Sequence, residues 1–202
     1  MLQYQTIEPG TLPLLKSLLS MPMFQGLRLV GGTALALQLG HRKSVDLDLF
    51  GTLEADPLEI REALEESHRV SVIKESKNIH IYLVDGVKVD FVNYRYSWIG
   101  EPVVDSGITL ASVKDIAAMK IAAVIGRGTK KDFIDIGILL RSFTLQELLE
   151  IYMQKYPDGS LFIAMKSLTY FEDAESDPMP FMFVETEWED VKTRIREAVI
   201  KL

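Results

Sequence analysis

The sequence predicts an α/β (α+β) fold, with an α/β core over residues 1–107 and a helical C-terminal part over residues 108–202 packed on it as one unit. Three observations carry this expectation. An apolar run, Leu27 to Val30, ends at Gly31-Gly32 and passes into Thr33 to Leu39, whose Ala and Leu content suits a helix, so the order is strand, glycine turn, helix. Ser44 to Phe50 and Val87 to Tyr94 alternate with a period of two, as half-buried strands do. Beyond residue 112 the chain turns to helix starts of the form Ser/Thr-x-x-Asp/Glu, each followed by apolar residues at helical spacing.

Taken in order, Thr11 to Ser20 read as a first helix with Leu14, Leu15, Leu18 and Leu19 at helical spacing, ended by Met21-Pro22. After the glycine pair and the strand at 44–50, Asp56-Pro57-Leu58-Glu59 opens a helix to about Ser67, with Asp56 as cap and Glu59 closing a capping box. Arg69 to Lys74 and Asn78 to Val84 read as strands, and Asp85-Gly86 between Val84 and Val87 is a two-residue hairpin signal. Trp98 to Gly107, with Pro102 and two glycines, reads as a connection. Ser112 then opens a helix that Gly128 ends, Thr129 opens a second, and Thr144 with Glu147 caps a third. Leu161 to Phe171 and the stretch opened by Thr186 to Glu189 complete the helical part. In the last of these Val191, Ile195, Ala198 and Leu202 make an apolar stripe.

With 202 residues, 48% of them hydrophobic, the chain can bury a substantial core. Zero cysteines exclude disulfides and thiolate–metal sites, and three scattered histidines disfavour zinc. The opening MLQYQTIEPG lacks a basic segment followed by an apolar one, and no apolar run approaches membrane-spanning length, so a cytoplasmic protein without membrane contact is expected. A net charge of −7 argues against general nucleic-acid binding, where a basic surface supplies most of the affinity. A local basic patch remains compatible with RNA.

The chemistry concentrates in residues 27–50. Side-chain-free Gly31 and Gly32 let a phosphate approach the backbone, and the free N–H groups and positive end of the following helix attract its charge. Thr33 adds a hydroxyl. Alternation puts Asp46 and Asp48 on one strand face, and Lys88 and Asp90 on one face of a later strand whose other face carries Val87, Val89 and Phe91. Like charges held side by side repel, and a divalent cation removes the problem; hard oxygens suit magnesium, which binds one or two carboxylates together with substrate phosphates. The alternative is an acidic, solvated strand face.

Gly31-Gly32-Thr33, then twelve residues, then Asp46-Leu47-Asp48-Leu49 resembles the signature of polymerase-beta-type nucleotidyltransferases. GGTALAL followed by GHRKSVDLDLF is similar, more narrowly, to the abortive-infection nucleotidyltransferase toxins (AbiEii/AbiGii). The resemblance implies a mixed sheet with flanking helices. It also implies transfer of a nucleoside monophosphate from a nucleoside triphosphate, an RNA or tRNA end as acceptor, and a cognate antitoxin protein as partner. On that pattern Asp46, Asp48 and Asp90 bind Mg2+ or Mn2+, with Asp90 as second ligand or general base; a second ion would stand roughly 3.5–4 Å from the first. Gly31, Gly32, Thr33, Arg42 and Ser44 are the expected nucleotide contacts.

A second region, DIAAMKIAAVIGRGTKKDFIDIGILL, is similar to the same family. There Lys120 is expected to stabilise leaving-group charge and Arg127 to contact the nucleotide, with Lys131, Asp132 and Asp135 as further site candidates. Asp132 reads equally as an N-terminal cap, and Arg127 as the partner of Asp132 or Asp135. His41, Arg42 and Lys43 read either as phosphate contacts or as a solvated basic loop. A small-molecule (aminoglycoside-type) nucleotidyltransferase would share every metal residue, and a non-catalytic binding protein would share the scaffold.

Overall fold

The computed structural model describes residues 1–202. In chain order the elements are α1 (Thr11–Ser20), β1 (Leu27–Val30), α2 (Gly31–Leu39), β2 (Leu47–Gly51) and α3 (Pro57–Glu65). Then come β3 (Val70–Glu75), β4 (Ile79–Val84), β5 (Val87–Asn93), β6 (Val103–Asp105) and β7 (Ile108–Leu110). The helices α4 (Val113–Gly126), α5 (Lys130–Leu139), α6 (Leu145–Lys155), α7 (Leu161–Leu168) and α8 (Trp188–Ile200) follow. No helix is long and apolar enough to cross a membrane.

The residues gather into two compact units. The first comprises Met1–Leu39, Ser44–Arg95 and Pro102–Ala111; the second comprises Gly40–Lys43, Tyr96–Glu101 and Ser112–Leu202.

All seven strands lie in the first unit, in one sheet ordered β3-β4-β5-β2-β1-β7-β6. The sheet is mixed: β2 runs parallel to β5 and β1 parallel to β7, while the other neighbours are antiparallel. Period-two patterning decides its faces. Leu29, Leu47, Leu49, Val89 and Phe91 are fully buried on one face, where Phe24 stacks on Phe91 at 4.4 Å between ring centroids. Each such side chain contributes about 1.5–3 kcal/mol by leaving water. The expected turn at Asp85-Gly86 forms with both residues at positive φ, 50° and 85°, which the twist of a tight hairpin requires.

Two expectations need correction. The stretch 98–107 is not wholly a connection, because Val103–Asp105 and Ile108–Leu110 form a hairpin across Ser106-Gly107, whose φ values are 51° and 84°. Three-residue arms are too short to show periodicity, although the Ser-Gly dipeptide is itself a turn signal. The strand expected from Ser44 begins only at Leu47, so Asp46 stands just before the ladder.

In the second unit Ser112 caps α4 by accepting from the Asp115 N–H at 3.1 Å, as its motif predicts. Asp115 itself does more than cap. Wholly buried, it accepts from the N–H groups of Ile99 and Gly100 at 2.9 and 3.0 Å, from Ser112 Oγ at 2.6 Å and from Lys155 Nζ at 2.7 Å. Burial alone would raise its pKa; Lys155, then Ser112 and the two N–H groups, outweigh that and hold it below the usual carboxylate range. One carboxylate thus fastens the 96–101 segment to α4 and α6. Asp115→Ala strands the Lys155 ammonium, so urea titration should show a loss of about 3–5 kcal/mol, of which Asp115→Ala with Lys155→Met recovers a large part.

Candidate active site

The register between β2 and β5 assembles the site. Asp48 pairs with Asp90 across the parallel ladder, and on its other side Asp48 pairs with Val30, the last residue of β1. Residues directly opposed on neighbouring strands share a face, so the two carboxylates stand side by side immediately beyond the end of β1. There the chain enters α2 at Gly31 without an intervening turn. Gly31 has φ +69°, and a Cβ built on it would lie 2.0 Å from Asp48 Oδ2. Glycine is therefore required twice, for its backbone conformation and for the close approach of the carboxylate. Gly31 and Gly32 are part-exposed, and the first N–H groups of a helix have no partner within it.

Thr33, expected to offer its hydroxyl to phosphate, is 1% exposed. It donates instead to the carbonyl of Asp46 and lies 2.9 Å from Ser44 Oγ. Thr33 and Ser44 thereby stitch the start of α2 to the segment carrying Asp46, which positions that carboxylate rather than a ligand.

Asp46, Asp48 and Asp90 are all half-buried, and no three acidic, histidine or cysteine side chains stand close enough to make a ready metal cage. Of the three carboxylates expected to converge, Asp48 and Asp90 form a register pair and Asp46 stands just outside the ladder. Sequence reasoning placed Lys88 on this face without giving it a role. Its ammonium lies 2.6 Å from Asp90 Oδ1. Partial burial disfavours the charged amine, yet Asp90, then Asp48 and Asp46, raise its pKa above the ordinary lysine value. A positive charge is therefore stabilised among the three aspartates. Two carboxylates with hard oxygens fit magnesium, which takes one or two such ligands and fills its shell with water and substrate phosphate.

The second motif builds a different cluster, inside the second unit. Asp132 and Asp135 are wholly buried on α5. Lys120 Nζ reaches both, at 3.0 and 2.6 Å. Arg42 closes its fork on Asp135 at 2.7 and 2.8 Å and donates to the Lys43 carbonyl at 3.0 Å, while His41 Nε2 lies 2.8 Å from the same carboxylate. Arg127 grips Asp132 at 2.8 and 3.0 Å, and Thr129 adds a bond at 2.6 Å. Lys131 is exposed. The solvated-loop reading of His41 and Arg42 is corrected, since they are 1% and 2% exposed. So is Arg42 as a free phosphate contact, because its donors are engaged within the cluster. The segment is held there by a short ribbon, Lys43 N to the Phe181 carbonyl at 2.8 Å and Phe183 N to the His41 carbonyl at 2.9 Å. These pairings join residues more than ninety positions apart, so no local motif could announce them.

Residues 14–201 match the sequence profile described as nucleotidyl transferase AbiEii toxin, type IV toxin–antitoxin system. The chain belongs to this family. It is thus a nucleotidyltransferase, and the resemblance carried by its two motifs extends over nearly its whole length. An uncharacterized protein of Aquifex aeolicus (strain VF5) is 37% identical over 191 residues, 92% of each chain. Among solved structures, a candidate nucleotidyltransferase of Helicobacter pylori superposes with a TM-score of 0.59 at 18% identity, covering 95% of this chain and 92% of that one. The nucleotidyltransferase toxin MenT4 of Mycobacterium tuberculosis superposes with a TM-score of 0.57 at 15% identity, covering 93% and 80%. The fold of this AbiEii-family chain is accordingly the polymerase-beta-like nucleotidyltransferase fold.

Two outcomes follow from the geometry. Gly31→Ala forces Asp48 aside, and steady-state assays should show transferase activity falling about 10²-fold, the effect of a displacement near 1 Å at a reacting centre, with the secondary structure retained. Burial would raise the pKa of Asp132 and Asp135, but their cationic partners outweigh it and hold both low. Since the unfolded value is about 3.9, their stabilisation is complete above that pH and disappears as pH falls through the folded values. Asp135→Asn should therefore flatten the acid limb of the stability curve and remove about 3–5 kcal/mol at neutral pH, measured by denaturant unfolding across pH.

Proposed function

We propose that this AbiEii-family nucleotidyltransferase moves a nucleoside monophosphate from a nucleoside triphosphate onto the terminal hydroxyl of an RNA, releasing pyrophosphate, and does so with Mg2+ or Mn2+. The observation that carries the reading is the in-register pair Asp48 and Asp90 beside the Gly31–Gly32 start of α2. Carboxylates for a cation and backbone N–H groups for a phosphate would meet there, on the interior strands β5, β2 and β1. Asp48 and Asp90, with Asp46 adjacent, would hold the cation, which supplies charge neutralisation and orientation for the triphosphate. Gly31 and Gly32 bind phosphate oxygens through their N–H groups. Thr33 and Ser44 keep Asp46 in place. Lys88 balances the carboxylates when no cation is present and gives way, or turns to phosphate, when the nucleotide enters.

For Lys120 as the group that meets leaving-group charge, and Arg127 as a nucleotide contact, the support is the family pattern; within the second unit both side chains are engaged by Asp132 and Asp135. The toxin–antitoxin description of the family supports a cognate antitoxin as protein partner, and the family resemblance supports RNA as acceptor. A cytoplasmic setting fits both.

Incubation with α-labelled triphosphates, offering total RNA or aminoglycosides, should put label on RNA. Asp48→Asn should reduce pyrophosphate release by about 10²–10³-fold, since charge stabilisation at such a centre is worth several kcal/mol. Its far-UV spectrum should stay unchanged, and expression of the wild type but not the variant should slow growth. Label on aminoglycosides alone would reassign the acceptor, and no pyrophosphate release with any acceptor would end the enzymatic reading of this site.

A further inference from the structure

A hydrogen-bonded chain of three side chains lies in the first unit, made by elements that the transfer chemistry above does not use. Ser17, half-buried on α1, has its Oγ 3.0 Å from His68 Nε2. His68, just after α3, has its Nδ1 2.7 Å from Asp85 Oδ2, at the tip of the β4–β5 hairpin. An ionised carboxylate only accepts, so Nδ1 carries the proton and donates it. In the neutral ring the Nε2 lone pair then faces the serine hydroxyl. Asp85 is fixed in turn. Its other oxygen accepts the Arg69 N–H at 3.0 Å, and its own N–H donates to the Arg69 carbonyl at 2.9 Å. The Arg69 N–H and then His68 hold the carboxyl below its ordinary range.

Nucleophile, base and orienting carboxylate thus follow one another at hydrogen-bond distance, the arrangement that raises the nucleophilicity of a hydroxyl. The surroundings bring the chain of bonds to the border of the transfer site. Ser17, His68 and Asp85 line a cleft of 710 Å³ together with Val45, Asp46 and Lys88. Ser17 thus shares a cleft with Asp46 and Lys88, two of the residues placed at the transfer site.

We propose that Ser17 is an acceptor within the chain itself, taking a nucleoside monophosphate from the triphosphate held at the neighbouring site to give a nucleotidylated serine. The inference rests on the reading of that site as a nucleotide site. In the step, Ser17 Oγ bonds to the α-phosphorus as the bond from that phosphorus to the bridging oxygen breaks. The hydroxyl proton passes to His68 Nε2, and pyrophosphate leaves with the electron pair. Asp85 balances the imidazolium, which then returns its proton to water. A modified Ser17 would fill the cleft with a nucleotide and limit access of other acceptors.

The full chain, incubated with magnesium and each of the four nucleoside triphosphates, should gain the mass of one nucleoside monophosphate, mapped by peptide fragmentation to Ser17. Ser17→Ala should abolish the adduct while pyrophosphate release with RNA persists. Asp48→Asn should abolish both. His68→Gln keeps a hydrogen-bonding side chain but cannot take up the proton, and should slow adduct formation by about 10²-fold or more. An adduct mapped to another residue would overturn the proposal, as would equal labelling of Ser17 in His68→Gln, or an unmodified chain that still labels RNA. Absence of pyrophosphate release under every condition would remove the nucleotide site as well, which separates the two failures.

Discussion

The register of β2 against β5 is the constraint on which the site depends. Because side chains alternate with a period of two, a slip of one residue would send Asp48 into the apolar layer and bring Leu47 or Leu49 out. Burial of Leu47, Leu49, Val89 and Phe91 forbids that slip, so the hydrophobic effect on one face aligns the carboxylates on the other. Asp48 and Asp90 contribute nothing to this alignment and repel each other. The packed face offsets that repulsion, and the Lys88 ammonium reduces it. A site whose charges are destabilising by themselves is thus carried by a layer that has no part in the chemistry.

Gly31 links the same register to the phosphate cradle. Its left-handed φ and the absence of a Cβ allow α2 to begin at the end of β1, with Asp48 against the first helical backbone. Thr33 then closes the arrangement by bonding the Asp46 carbonyl, so that the helix start and the carboxylate segment are placed together. In the second unit buried charge is organised by another rule. Asp115 with Lys155, and Asp132 and Asp135 with Lys120 and Arg42, are taken out of water together, while the exposed Arg127 reaches Asp132 from the surface. Such pairs seldom stabilise more than apolar side chains would, but they admit very few alternative packings, and so specify the angles between the helices that hold them.

Helix starts, strand alternation and the Asp85-Gly86 turn were legible because each is a local matter. Asp56 and Thr144 cap helices through atoms two or three residues away and close their capping boxes, whereas Thr129, expected to open α5 in the same way, makes no capping bond and donates to Asp132 instead. The β6–β7 hairpin escaped because arms of three residues offer too little pattern. His41 and Arg42 were misread because a basic tripeptide before a strand usually lies in solvent, and nothing within several residues signals a buried aspartate to receive it. Lys88 stood in view on the face of Asp90, yet its place among three carboxylates follows from strand pairing. Ser17, His68 and Asp85 belong to three separate elements, and their order in the chain carries no hint of their contact.

By itself, then, the sequence determined the succession of strands and helices apart from β6 and β7, the glycine-bounded strand-to-helix junction and the family, since these rest on neighbours in the chain and on short motifs. Tertiary structure alone decided which other side chains meet: Arg42 on Asp135, Lys155 on Asp115, His68 between Ser17 and Asp85. The reason is physical. Hydrogen bonds of caps and turns close over a few residues at little entropic cost, whereas an ion pair across tens of residues forms only once apolar packing has ordered the chain between them.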